Sequence, residues 1–60
     1  MQLIEIRRRL EDLTEFGAPA PSPSEWAALK RAWATLKPQT LPSYHPVIDD
    51  RIALVESLHR

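Results

Sequence analysis

An all-α fold, three helices joined by proline-rich connectors, is what the sequence predicts, and three observations carry the prediction. Apolar residues recur at alternating spacings of three and four over about 2–16 and 22–37, which gathers them on one face of a helix. A third apolar segment, near 46–58, opens with Pro46, Asp49 and Asp50, residues suited to the first turn of a helix. The stretches between them, 17–21 and 38–46, hold five of the six prolines, which stiffen the chain and oppose both helix and strand pairing. Sixty residues make one domain, 1–60, and a single core of this size rarely supplies more than about 3–5 kcal/mol.

The first helix is read from Leu3, Ile6, Leu10 and Leu13, with Phe16 near the edge of the same stripe and Ile4 pointing away. Glu5 with Arg9 is an i,i+4 pair in the better orientation, while Arg7 with Glu11 and Arg8 with Asp12 are reversed. Gly17, the only glycine, stands where a left-handed residue closes a helix.

The second helix has the strongest boundaries. Ser22 is placed to cap it, Pro23 to open it and Glu25 to close a capping box, while Pro38 stops it. Trp26, Leu29, Trp33 and Leu36 share a face, with Lys30 and Lys37 each four residues after a tryptophan. The expectation is indoles in the core with lysine stems along their edges. In the connector that follows, Leu41 and Tyr44 are expected to anchor against the tryptophans, and His45, preceding Pro46, to lie outside the third helix.

The third helix carries two apolar stripes side by side, Val47, Leu54 and Leu58 in one, Ile48, Ile52 and Val55 in the other, with Arg51 between them. Together they span roughly 160° of arc, where packing on two neighbours needs about 100°. Either this helix lies deep between the others with Arg51 reaching out, or one stripe packs inward and the other meets a second chain. In the second case Arg51 is expected to pair with a carboxylate across that interface.

Chemistry-bearing patterns are sparse. Lysine plus arginine number 8 and so do aspartate plus glutamate, a balance that argues against a chain built mainly to hold nucleic acid. Four acids against three bases give −1 over 1–16, three bases against one acid give +2 over 22–37, and three acids against two bases give −1 over 46–60. One glycine permits no glycine-rich phosphate loop, and no cysteine is present to act as nucleophile or ligand. His45 and His59 with neighbouring carboxylates fall short of a metal-binding spacing. No helix-turn-helix is expected, because the connector after the second helix is long and the third helix begins acidic. Neither a signal peptide nor the roughly 20 apolar residues of a bilayer span is present.

The functional expectation is a non-enzymatic protein–protein interaction module, cytoplasmic, with no cofactor, metal or small-molecule substrate. It binds a partner or a second copy of itself through Val47, Arg51, Leu54 and Leu58. The competing expectation is a small nucleic-acid-binding regulator using Arg7, Arg8, Arg9, Lys30 and Lys37, in which the lysines and indoles form an aromatic and basic edge.

Overall fold

Three helices form where the periodicity places them, their ends shifted by up to two residues, in a computed structural model that describes residues 1–59. Helix α1 spans Leu3–Thr14, α2 spans Pro23–Leu36 and α3 spans His45–Leu58, with 3₁₀ turns at Lys37–Gln39 and Pro42–Tyr44 between the last two. The fold is a small all-α domain.

Local chemistry explains the ends. Glu5 accepts a hydrogen bond from the Gln2 N–H (3.3 Å) at the start of α1. At its finish Gly17 takes a φ of +64°, and the Ala18 N–H donates back to the Asp12 carbonyl (3.0 Å), satisfying one of the carbonyls a helix end leaves open. Helix α1 therefore ends at Thr14, not 16, and Phe16 leaves the helical period. It is exposed, 74 %, rather than at the edge of the stripe. The Ser22 hydroxyl accepts from the Glu25 N–H (3.2 Å), so the cap of α2 is present. The return bond of a capping box from the Glu25 carboxylate is absent among the described residues, and Ser24 meets the Ser22 hydroxyl instead (3.2 Å).

Two expectations for the second connector are corrected. His45 is the first residue of α3, not outside it. Its Nε2 lies 2.9 Å from the Lys37 carbonyl and 3.0 Å from the Thr40 carbonyl, and its ring meets Trp33 edge-on at 5.9 Å. Leu41 is 74 % exposed, because the 3₁₀ turns on either side direct it outward, while Tyr44 packs against the core.

The core is built from Ile6, Leu10 and Leu13 of α1, Leu29 and Trp33 of α2, and Ile48 and Val55 of α3, with Leu3, Trp26, Leu36, Tyr44 and Ile52 packed around them. Side-chain pairs fix the helix directions. Arg51 in the middle of α3 reaches Thr14 at the end of α1, and Tyr44 just before α3 lies beside Arg7, where its hydroxyl, aided by Glu11, raises the guanidinium pKa above its ordinary value. Helices α1 and α3 thus run the same way. Helix α2 runs against both, since Trp33 meets Asp49 and Trp26 meets Glu56.

Candidate interaction surface

The two stripes of α3 separate as one inner and one outer row. Ile48 and Val55 are fully buried and Ile52 partly so, whereas Val47, Leu54 and Leu58 are 44 %, 46 % and 57 % exposed. Their spacing with Arg51 (4-3-4) makes a narrow seam of the kind that receives another helix. Pro46, Val47, Asp50, Arg51 and Leu54 line a shallow open groove along it.

Arg51 is engaged within its own chain. Nη1 donates to the Thr14 hydroxyl (2.8 Å) and Nη2 to the Glu15 carboxylate (2.9 Å). The carboxylate expected from a second chain is supplied by Glu15, the C-cap of α1, which fastens the end of α1 to α3 and neutralises the charge at the edge of the seam. The sequence could not show this, since Glu15 is 36 residues away along the chain.

Three of the five basic residues named for phosphate contact are also engaged within the chain. Arg7 pairs with Glu11 (3.3 Å), Lys30 with Glu56 (3.1 Å) and Lys37 with Asp49 (2.8 Å). Arg8 and Arg9 are exposed and form no ion pair among the described residues. The lysines and tryptophans do come together as the spacing suggested, but through a shared acceptor. The Trp33 Nε1–H and Lys37 both donate to the Asp49 carboxylate (2.8 Å each). The Trp26 Nε1–H and Lys30 both donate to Glu56 (3.4 and 3.1 Å). The donors repeat after seven residues along α2 and its C-cap Lys37, and the acceptors after seven on α3, in opposite directions, so two matching clamps hold the antiparallel pair in register. The Lys37 ammonium first, then the Trp33 N–H, hold the Asp49 carboxyl below the usual carboxylate range.

The bundle has a closed end and an open one. Trp33 is 4 % exposed, while Trp26 is only partly buried and borders two open grooves. One, about 320 Å³, lies between the end of α1 and the start of α2, and the other, about 440 Å³, lies between the start of α2 and the end of α3. Neither groove was foreseen from the sequence, because both arise from how the Ala18–Pro21 connector crosses the helix ends. Among the described residues no group of three or more histidines, aspartates or glutamates is placed to hold a metal ion, and no helix is long and apolar enough to cross a membrane. Comparison with protein-family models, curated proteins and solved structures finds no match.

Proposed function

We propose that this chain is a non-enzymatic protein–protein interaction module that docks a second copy of itself along the outer stripe of α3. The observation that carries the reading is the exposure of Val47, Leu54 and Leu58 beside a fully buried inner row. An apolar row on a helix that already packs on two neighbours is surplus to the fold. Association suits a 60-residue chain, whose own core is small.

Charge at the seam permits two copies to meet. Each Arg51 is neutralised by Glu15 of its own chain, so two such surfaces face each other without like-charge repulsion. Asp50 borders the seam with no partner among the described residues and is free to accept from spare guanidinium donors of the second Arg51. The nucleic-acid reading has weaker support, since binding phosphates through Arg7, Lys30 or Lys37 first requires breaking their ion pairs. The absence of cysteine suits a cytoplasmic setting.

Light scattering across a concentration series tests this, with helicity followed by circular dichroism. The wild-type mass is expected to rise toward twice that of the chain, and Leu54→Asp or Leu58→Asp to hold it at the monomer with helicity unchanged. A wild-type monomer at every concentration would overturn association with itself. Loss of helicity in both variants would overturn the docking reading altogether, because the stripe would then be core.

A further inference from the structure

The groove between α1 and α2 is a second surface, lying away from the α3 seam and independent of it. Its apolar wall is Leu13, Pro19, Pro21, Trp26 and Leu29. Prolines at two of these positions mean that the wall is set before a ligand arrives, so little conformational entropy is lost on binding.

The charges on its rim are the informative part. Among the described residues Glu11, Glu15, Asp49 and Glu56 are each in an ion pair and Glu5 caps α1. That leaves Asp12, Glu25 and Asp50 without a side-chain partner, and Asp12 and Glu25 both line this groove. Glu25 has a local reason to be where it is, in the first turn of α2, where negative charge is favoured. Asp12 has none. It stands in the last turn of α1, the negative end of the helix dipole, and that turn holds no basic residue. The one guanidinium that reaches this end of the helix, Arg51, is held by Thr14 and Glu15, so the Asp12 carboxylate, beside a dipole end that favours positive charge, has no cation of its own. Arg9 also borders the groove but is one turn back, and it makes no ion pair with Asp12.

We propose that this groove binds an arginine or lysine side chain of a partner peptide, its aliphatic stem against Trp26 and Pro21 and its cationic head between Asp12 and Glu25. The stem and head match what the wall and rim offer, an apolar strip beside an indole ending at two carboxylates. Arg9 at the rim sets a limit of one cation, because a second positive charge beside the first meets its guanidinium.

The test uses the full chain labelled with ¹⁵N and a blocked peptide of sequence Ala-Leu-Arg-Leu-Ala. Saturable shifts are expected at the Trp26 indole N–H and at Ala18, with the Trp33 indole unmoved and a dissociation constant of about 1 mM or tighter. The same peptide with neutral citrulline in place of arginine, and the Asp12→Asn/Glu25→Gln variant with the arginine peptide, are each expected to bind at least about tenfold more weakly. Equal binding of the citrulline peptide would overturn the role of charge. Butylguanidinium binding as tightly as the peptide would overturn the peptide as occupant and make the site one for small cations. No saturable shift at Trp26 with the arginine peptide would overturn the site itself. A monomeric chain that still binds the peptide would sink the α3 proposal and leave this one standing.

Discussion

Asp49 shows how much a single side chain can carry that its neighbours in sequence do not announce. Its place three residues after Pro46 makes it an expected first-turn acid, but α3 begins at His45 and its first turn holds no acid. In the structure it is the acceptor for both the Trp33 indole and Lys37, residues 16 and 12 positions away. Its depressed pKa has a definite consequence for stability. A carboxyl whose pKa is lower folded than unfolded adds stability that is fully present above the unfolded value of about 3.9 and lost as pH falls through the folded value. Asp49 is about 41 % exposed, so solvent screening keeps the effect modest, about 1 kcal/mol. The urea midpoint of the wild type is therefore expected to fall below that of neutral pH as the solution is acidified past pH ~4, by more than it does in Asp49→Asn. Equal acid sensitivity in the two proteins would remove Asp49 as a contributor. Lys30 and Glu56 repeat the arrangement, and neither was legible for the same reason: spacing within a helix is visible in a sequence, while the acceptor opposite is not.

At the scale of elements, periodicity placed the stripes and composition placed the breaks, but the two disagree over where a helix stops. Leu3, Ile6, Leu10 and Leu13 fix the buried face of α1, and all four pack as their spacing predicts. Phe16 fits the same spacing and is nonetheless exposed, because α1 ends at Thr14 to reach the left-handed turn at Gly17. A 3-4 pattern has no information about its own end when the last member falls inside the capping turn. The outer and inner rows of α3 were legible for the opposite reason, since their seven-residue repeats lie wholly within one helix. Leu41 and His45 were misplaced because 3₁₀ turns have no apolar period to read. The importance of the α1 terminus is measurable. A Cβ at Gly17 meets nothing within 4 Å, so Gly17→Ala carries only the backbone cost of holding an L-residue at positive φ, about 1–2 kcal/mol. Denaturant unfolding checks this, and a variant as stable as wild type would mean that the turn closes α1 without Gly17.

The whole molecule departs from a uniform bundle in a way that follows from the two clamps. The Asp49 clamp uses the shorter acid, and both its bonds are 2.8 Å. The Glu56 clamp uses an acid one methylene longer, and its bonds are 3.4 and 3.1 Å. The shorter acid sits where Trp33 is buried and His45 closes the connector onto the end of α2; the longer one sits where Trp26 is partly exposed and two grooves open. Both proposed occupants, a second α3 and a basic side chain, would meet a body whose closed end supplies rigidity and whose open end supplies access. Local opening without global unfolding should accordingly be confined to the Trp26 end. Hydrogen exchange resolves the two ends, because each indole N–H is a separate reporter on a separate clamp. The Trp33 indole proton is expected to exchange only by near-global unfolding, and to slow in parallel with the amides of Ile6, Leu10 and Ile48, which are 0 % exposed. The Trp26 indole proton is expected to exchange at least about tenfold faster, through an opening whose rate responds little to denaturant because it exposes little surface. Reversal of that order, or exchange of both indoles with a single strong denaturant dependence, would mean that the two clamps open as one unit and that the bundle has no open end.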